Sequence, residues 1–219
     1  MNAPLPIVVY GTGGHGRETA LLVRSMIQAG TPWQLSGYLD DDTTQHHRLI
    51  GDLPVLGTSS ILAAQPGLFA VALGIGSPNA RRQIVARIRS WVHSFPVLIH
   101  PSVPAFERVH LGDGSQVHAG TVLTTDIHVG NFAILNRHVD VSHDCTIDDW
   151  ATLAPGVTLT GGVSVGEGAD LGARAACIPC VHIGAWSVIG AGAVVTRDIP
   201  DGVTAVGVPA RALGAGVSL

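Results

Sequence analysis

The stretch that decides the fold is VTLTGGVSVGEGADLGARAACIPCVHIGAWSVIGAGAVV, residues 157–195, in which an apolar side chain returns at every sixth position. The same spacing extends back to Leu111 without interruption, and only Cys177 replaces an aliphatic residue among its fifteen positions. Residues two places before these positions are nearly all small or β-branched. A period of six fits neither a helix nor a hairpin. It predicts a solenoid of short parallel strands in which each hexad turns one aliphatic side chain inward.

The hexads belong to the second of two predicted domains. Three hexads make one triangular coil of about 18 residues, so residues 106–195 supply about five coils. The sequence before residue 99 instead alternates strand and helix patterns, with strands expected at 7–10, 35–39 and 68–73 and helices at 18–29 and 79–91. We therefore predict a small α/β domain at 1–98, of the βαβ or Rossmann-like kind, and a β-helix with a C-terminal cap at 99–219.

Composition excludes several classes of function. The chain is 46% hydrophobic and 13% charged with a net charge of −4, and it has no basic cluster of the kind that nucleic-acid binders carry. All twelve basic side chains are arginine, so chemistry that needs a lysine amine, such as a Schiff base or a Walker-type phosphate loop, is excluded. No apolar run reaches the roughly 18 residues of a membrane span. No signal-peptide pattern opens the sequence, so we expect a cytoplasmic protein.

The three cysteines, Cys145, Cys177 and Cys180, are an odd number, which argues against a disulfide framework. Cys145 and Cys177 fall at inward positions of the solenoid, where a small apolar residue is expected. The pair Cys177 and Cys180 leaves a redox or metal role open, although no helix pattern follows it as one would in a redox motif.

A glycine-rich segment follows the first predicted strand. Gly11, Gly13 and Gly16 have the spacing of a dinucleotide-binding loop, in which glycines allow a tight turn and a helix N-terminus favours phosphate. The same physics serves any nucleotide diphosphate. A dehydrogenase would also need a substrate domain, and the rest of this chain is a solenoid. Nucleotide binding without redox chemistry is therefore favoured, with a glycine turn that merely packs helix on strand as the alternative.

The repeated VG, IG and LG hexads resemble the left-handed β-helix of hexapeptide acyltransferases, and IGAGAVVTRDIPDGVTAVGVPAR, residues 189–211, is similar to the closing segment of that superfamily. With GTGGHGRE at 11–18 and HPSV at 100–103, the whole chain resembles the sialic acid O-acetyltransferase and nucleotide-amino-sugar N-acetyltransferase family, which includes the bacillosamine and perosamine enzymes.

This resemblance implies an acyltransferase with acetyl-CoA as co-substrate and no metal. The expected reaction is N-acetylation of the amine of a UDP-, GDP- or dTDP-linked amino-deoxy sugar for surface polysaccharide or glycan biosynthesis. O-acetylation of a sialic acid or another sugar hydroxyl is the runner-up. The resemblance also implies a homotrimer, while the nucleotide, the sugar and the acyl chain length stay open.

The resemblance places the nucleotide part of the substrate on the first domain, near the glycine loop, the end of the second strand and a second loop at 74–77. The residues that it implies for substrate binding are Gly11, Gly13, Gly14, His15, Gly16, Asp40, Asp41, Gly76 and, on the solenoid, Asn136.

His143 is the candidate catalytic base. Acyl transfer from a thioester to an amine needs a group that removes a proton, and neutral imidazole suits that task near pH 7. A carboxylate that fixes the imidazole tautomer would help, and both Asp144 and Asp126, one coil earlier, are candidates. The resemblance implies the pair His143 and Asp144. Many relatives carry a second histidine nine residues after the base, where this chain has Thr152, so any role of that histidine in holding the thioester is in doubt.

The coils after His143 supply the candidate donor site. Gly161 and Pro179 occupy the position of His143 in the next two coils, and missing side chains there would leave a groove for a pantetheine arm. The alternative for Gly161 is a glycine that merely turns a corner. Arg211 is suited to a phosphate of coenzyme A. The residues implied for acetyl-CoA binding are Thr152, Gly161, Gly162, Gly172, Gly190, Ala191, Gly192 and Arg211.

The sequence leaves two alternative functions open and also predicts that subunits assemble. A zinc protein like the γ-class carbonic anhydrases would use His138 and His143 with His118 or His128 as metal ligands at a subunit boundary, but the expected third-ligand position holds Ser102. A purely structural or binding solenoid is the other alternative. Outward positions such as Val122 and Ile134 lie in a stretch with few charges, which favours a covered face and a closed ring of subunits.

Overall fold

The computed structural model describes residues 4–104 and 107–213. They form two compact units, one that ends at Pro101 and one that begins at Ser102. Among the residues described, no helix is both long and apolar enough to cross a membrane.

The N-terminal unit is a five-stranded sheet with the strand order β3-β4-β2-β1-β5, parallel except that β3 runs antiparallel to β4. Its strands and helices are β1 (Leu5–Tyr10), α1 (Gly14–Gln28), β2 (Trp33–Leu39), β3 (Leu49–Ile50), β4 (Leu53–Gly57), α2 (Ser60–Ala64), β5 (Ala70–Leu73) and α3 (Pro78–Ile88).

The predicted strands and both predicted helices of this unit are present, with shifted ends. Helix α1 begins at Gly14, four residues before the prediction, because glycines occupy its first turn. Elements β3, β4 and α2 were not predicted, because Pro54 and Gly57 interrupt the apolar pattern of that segment. The core lies between the sheet and α1, where Ile7 and Val9 pack with Leu22 and Val23.

The C-terminal unit is the predicted solenoid, whose short strands stack into three sheets that are parallel except for the antiparallel last strand pair of one of them. Strand pairs join residues 18 positions apart, as Ile134, Thr152 and Asp170 do. From Val117 to Val195, every inward residue of the hexads is at most 5% exposed. One aliphatic layer per hexad therefore forms the core.

The faces are named by their strands. The first face holds β7 (Glu107–Leu111), β10 (Thr125–Val129), β13 (Thr146–Ile147), β16 (Ser164–Val165) and β19 (His182–Ile183). The second holds β8 (Gln116–Val117), β11 (Ile134–Leu135), β14 (Thr152–Leu153), β17 (Asp170–Leu171), β20 (Val188–Ile189), β22 (Thr204–Val206) and β23 (Arg211–Ala212). Strand β6 (Leu98–Ile99) belongs to the N-terminal unit. The third holds β9 (Val122–Leu123), β12 (Asp140–Val141), β15 (Thr158–Leu159), β18 (Ala176–Cys177) and β21 (Val194–Val195).

The corners between faces follow the same period. A residue with positive φ stands at every sixth position from Arg108 to Gly192, and several of these are bulky, such as Phe132, Trp150 and Arg174. Only glycine visits this region without steric cost, so the stacked coils must hold the other residues there. Two corners carry predicted site residues. The histidine corner, between the third and first faces, comprises 142–144, 160–162 and 178–180. The asparagine corner, between the second and third faces, comprises 136–138, 154–156, 172–174 and 190–192.

The cysteines are all free and occupy two environments. Cys145 and Cys177 are buried, as their inward positions predicted, and burial raises the pKa of the Cys177 thiol to about 12. Cys180 is exposed at the histidine corner. The two residues of the Cys177/Cys180 pair therefore do not form an accessible dithiol.

Candidate active site

The candidate base lies on the surface of the histidine corner. The Nδ1 atom of His143 lies 2.7 Å from a carboxylate oxygen of Asp144, and both side chains are about two-thirds exposed, at 64% and 66%. Asp144 has a φ of 61°, so its left-handed backbone turns its carboxylate alongside the preceding residue. Donation from Nδ1–H to this carboxylate leaves the lone pair on Nε2, the form that a general base needs.

The structure distinguishes the carboxylates of Asp126 and Asp144, which the sequence analysis considered as partners of His143. Asp126 accepts a hydrogen bond from the Arg108 guanidinium at 2.7 Å and another from the Thr125 hydroxyl at 3.2 Å. Asp144 instead accepts a hydrogen bond from the His143 imidazole. The hypothesis that Asp126 orients the base is not supported, because its partners lie in its own coil and at the start of the solenoid.

The residues predicted to hold acetyl-CoA lie in three places. Gly161 and Gly162 lie beside His143, in the following coil of the histidine corner. The asparagine corner carries Gly172, Gly190, Ala191 and Gly192, together with Asn136, which was predicted to bind the sugar substrate. Thr152 and Arg211 lie on strands β14 and β23 of the second face. Within one chain the third face therefore separates most of the predicted donor residues from His143.

Three glycines of the predicted donor set differ in whether the fold itself requires a glycine. Gly162 has a φ of +73° and turns the corner, as the alternative reading proposed for such glycines. Gly172 lies so close to the next coil that a Cβ would approach the Ala191 nitrogen to 2.6 Å. Gly192, with a φ of +69°, is exposed, and within the described residues a Cβ there would meet no atom within 4 Å.

The glycine loop of the N-terminal unit brings three backbone segments into contact. A Cβ on Gly16 would lie 2.0 Å from the Gly11 carbonyl oxygen, and a Cβ on Gly74 would lie 2.5 Å from the Gly16 Cα. Gly11 and Gly74 come from the ends of the neighbouring strands β1 and β5. The glycines therefore pack α1 on the sheet, as the alternative reading expected, and they also shape the loop.

The mouth of this loop is open at the start of α1. In the part of the chain that the structure describes, a Cβ on Gly13 or Gly14 would meet nothing within 4 Å, and no side chain caps the helix. Uncapped amides at a helix N-terminus attract an anion. His15 follows in the same turn, half-buried, with Nδ1 4.0 Å from the Glu18 carboxylate. This place suits the diphosphate that the sequence predicted.

Asp40, the first of the two carboxylates predicted to bind substrate, holds the glycine loop through hydrogen bonds. One oxygen of Asp40 accepts from the backbone N–H of Thr12 at 2.9 Å and from its hydroxyl at 2.6 Å, and the other accepts from the Asp42 N–H. Asp40 thus fixes the glycine loop against the end of β2. The sequence predicted its location but not this internal role.

Asp41 is held by two residues that sequence reasoning missed. It accepts hydrogen bonds from the Tyr10 hydroxyl at 2.7 Å and from Arg87. Burial raises the pKa of Asp41, but the bonds from Tyr10 and Arg87 outweigh it and lower the pKa overall. Burial and the bond to Asp41 raise the pKa of Tyr10 to about 12. An ionised carboxylate and a neutral phenol therefore lie beside the glycine loop.

A buried arginine shapes the second loop. Arg81 on α3 has no exposed surface, and its guanidinium donates to the carbonyl oxygens of Ile75 and Gly76. Gly76 itself is exposed. A buried arginine on a short amphipathic helix has no marker in the sequence, since Arg82 and Arg87 beside it are exposed.

The described residues of one chain do not bring together the ligands of the metal alternative, which was expected at a subunit boundary. Within residues 4–104 and 107–213 there is no group of three or more His, Cys, Asp or Glu side chains arranged to hold an ion. His138 lies at the asparagine corner, where its ring stands over Gly120, and His143 lies at the histidine corner.

Comparisons with known proteins agree with both units. Residues 6–88 match the PglD N-terminal domain, and residues 162–197 match the hexapeptide repeat of succinyl-transferase. The chain is 30% identical over 210 residues to the GDP-perosamine N-acetyltransferase of Escherichia coli O157:H7, which covers 93% of this chain and 94% of that protein. The chain belongs to the hexapeptide-repeat acetyltransferases of nucleotide-linked amino sugars.

Solved structures of this family share the fold of the chain. The perosamine N-acetyltransferase of Caulobacter crescentus, a histidine-to-asparagine variant with coenzyme A and GDP-perosamine, is 36% identical with a TM-score of 0.87, covering 95% of this chain and 97% of that one. The acetyltransferase domain of PglB from Neisseria gonorrhoeae with acetyl coenzyme A is 33% identical with a TM-score of 0.88, covering 95% and 99%. The predicted fold, an α/β domain followed by a left-handed β-helix, is confirmed. The individual residue roles stay predictions.

Proposed function

We propose that this chain transfers the acetyl group of acetyl-CoA to the amine of a nucleotide-linked amino-deoxy sugar. The observation that carries the proposal is the match of both units, over nearly the full length, to relatives named for this reaction. The exposed pair of His143 and Asp144 supplies the chemistry that the reaction needs.

The mechanism is a direct transfer in a ternary complex. Nε2 of His143 accepts a proton from the sugar amine, and the amine nitrogen forms a bond to the thioester carbonyl carbon. The tetrahedral intermediate collapses as the carbon–sulfur bond breaks, and the thiolate of coenzyme A leaves and takes up a proton. Asp144 holds the imidazole through Nδ1–H and stabilises the imidazolium that forms. No covalent acyl-enzyme is formed.

The N-terminal unit binds the nucleotide. The open start of α1 at Gly13 and Gly14 receives the diphosphate, where uncapped N–H groups and the helix dipole favour negative charge. Asp41, fixed by Tyr10 and Arg87, lies at the end of β2 and stands where the nucleoside is expected. Asp40 acts through the loop that it holds.

A homotrimer completes the donor site. His143 and the residues of the asparagine corner lie on either side of the third face, so one chain does not offer them to a single acetyl group. A ring of three solenoids brings the histidine corner of one chain beside the donor groove of the next, with Arg211 of that groove available to a phosphate of coenzyme A. We propose a cytoplasmic location, where both substrates are made.

The test is a panel of UDP-, GDP- and dTDP-linked amino sugars with acetyl-CoA. Release of free thiol with one amino sugar, together with a product of one added acetyl group on nitrogen by mass spectrometry and NMR, is the expected result. Each amino sugar is paired with the matching hydroxyl sugar as a control. Acetylation of the hydroxyl compound alone would overturn N-acetylation in favour of O-acetylation, and no thiol release with any acceptor would overturn the proposed function.

A further inference from the structure

Gly161 lies directly under the imidazole of His143. A Cβ on Gly161 would lie 2.6 Å from the Cε1 atom and 2.8 Å from the Nε2 atom of that ring. Carbon atoms in favourable contact are about 3.5–4.0 Å apart, so no side chain at 161 is compatible with this ring position. The ring occupies the space that a side chain would fill.

The direction of the His143 ring differs from that of other corner side chains. His138, Cys180 and Trp186 lie over Gly120, Gly162 and Gly168, and each of these glycines belongs to the preceding coil. His143 instead reaches over the following coil, because Gly161 comes 18 residues after it. Its imidazole is therefore turned toward the coils that carry the predicted donor residues.

The backbone does not require glycine at 161. The φ of Gly161 lies outside the left-handed region, whereas its neighbour Gly162 has a φ of +73°. An alanine at 161 is thus allowed by the chain, and the obstacle is the ring of a surface side chain that is free to rotate away. The absence of a side chain at this position serves the ring rather than the turn.

We infer that Gly161 is a positioning residue, whose bare Cα lets the His143 imidazole lie over the next coil with Nδ1 on Asp144. This inference rests on the proposed function, in which His143 is the base. It differs from a role for Gly161 in lining the donor groove, because it acts through the imidazole.

Gly161→Ala tests the inference by separating kcat from KM. A side chain at 161 displaces the imidazole, and misplacing a catalytic group by about 1 Å costs about 10²-fold in rate. We expect kcat to fall by about that factor, with the KM for acetyl-CoA changed less than threefold and the melting temperature unchanged. In long-range ¹H–¹⁵N spectra, assigned by comparison with His143→Ala, the Nδ1–H tautomer of His143 should be lost.

A double-mutant cycle and a matched control isolate the effect. If Gly161 acts through the imidazole, Gly161→Ala should cost nothing further in the residual activity of His143→Ala. Cys180→Ser changes a side chain at the same corner, over Gly162 rather than Gly161, and should keep parent activity.

The outcomes separate the inference from the proposed function. If His143→Ala lowers kcat as predicted while Gly161→Ala keeps a normal kcat and the normal His143 tautomer, the inference is wrong and the proposed function stands. A raised KM for acetyl-CoA with additive losses in the cycle also overturns it, since it assigns Gly161 to the donor. If no amino sugar is acetylated, the proposed function fails, and the tautomer of His143 in the two proteins still decides whether Gly161 positions the ring.

Discussion

The His143–Asp144 pair combines a short contact with wide exposure to solvent. Both side chains are about two-thirds exposed, so their 2.7 Å contact adds little to the stability of the fold, as for other exposed ion pairs. A contact that contributes little to stability but fixes a tautomer is expected at a site of proton transfer. Variants at these positions should therefore change activity without unfolding the protein.

The first prediction at this scale concerns the base. His143→Ala should lower kcat by about 10²–10⁴ and leave acetyl-CoA binding close to normal, because general-base removal typically costs that much. Steady-state kinetics and isothermal titration with acetyl-CoA measure the two effects. His110→Ala is the matched control, since that exposed histidine stacks on His128 on the first face and should have no effect. Normal turnover in His143→Ala would remove His143 from the mechanism.

A second residue prediction concerns the thiols. Cys180→Ser and Cys145→Ser should both keep acetyl transfer, because the proposed mechanism has no acyl-cysteine. Burial raises the pKa of the Cys145 thiol, which further lowers its reactivity. Intact-protein mass spectrometry after mixing with acetyl-CoA alone should show no added acetyl group. An inactive Cys180→Ser protein, or an acetylated parent, would instead indicate a thiol mechanism.

At the scale of secondary-structure elements, the glycines between β1 and α1 differ in how much space their surroundings leave for a side chain. Gly16 lies inside the contact between α1 and the end of β1, where the nearest atom is a backbone oxygen that cannot move aside. Gly14, two residues earlier in the same helix, faces open space. The two positions therefore form a natural pair for substitution.

Gly16→Ala should destabilise the N-terminal unit by about 1–3 kcal/mol or more, the usual cost of overpacking. It should also weaken nucleotide binding, because α1 and its N–H groups must shift. Gly14→Ala should stay within about 0.5 kcal/mol of the parent. Hydrogen exchange of the β1 amides measures both changes in the intact chain. Equal stability of the two variants would show that the close approach of Gly11 and Gly16 does not restrict the loop.

The sequence predicted the elements whose residues repeat at short range. The hexads determined the solenoid and its buried positions, including Cys145 and Cys177, and the glycine spacing located the tight loop between β1 and α1. Contacts between distant segments were not predictable, because no local pattern records them. Gly74 meets Gly16, and Arg87 meets Asp41, across long stretches of chain. Both Ile134 and Val122 were expected at outward positions of a covered face, and in the single chain Ile134 is 1% exposed while Val122 is 42% exposed.

At the scale of the whole molecule, the predicted site residues divide between two corners of one solenoid. The histidine corner carries the proposed base, and the asparagine corner carries half of the proposed donor residues. A trimer would unite them across each boundary between subunits. That arrangement predicts that two different inactive chains restore activity when they assemble together.

Mixed trimers test this division. One chain carries His143→Ala and the other Ala191→Trp, which blocks the exposed donor groove without the strain that a side chain would cause at Gly192. If boundaries share the site, a 1:1 mixture refolded or co-expressed should regain about a quarter of parent activity, since one boundary in four combines two intact halves. Mixing without subunit exchange is the control. An active monomer by light scattering, or a mixed trimer without recovery, would place each site within one chain.

Because strands pair residues 18 positions apart, the number of coils sets the distance along the solenoid between His143 and Arg211. A deletion or insertion keeps every face in register only if it removes or adds a whole coil, as the loss of residues 163–180 would. Such a change shortens the solenoid by one strand spacing, about 4.8 Å, and moves Arg211 toward His143 by that amount. Changes that are not multiples of six would turn aliphatic side chains out of the core, and a change of one or two hexads would move every later residue to another face. The separation between the imidazole and the phosphate-binding end can therefore change only in discrete steps, so relatives with fewer or more coils should differ in the length of acyl carrier that they accept.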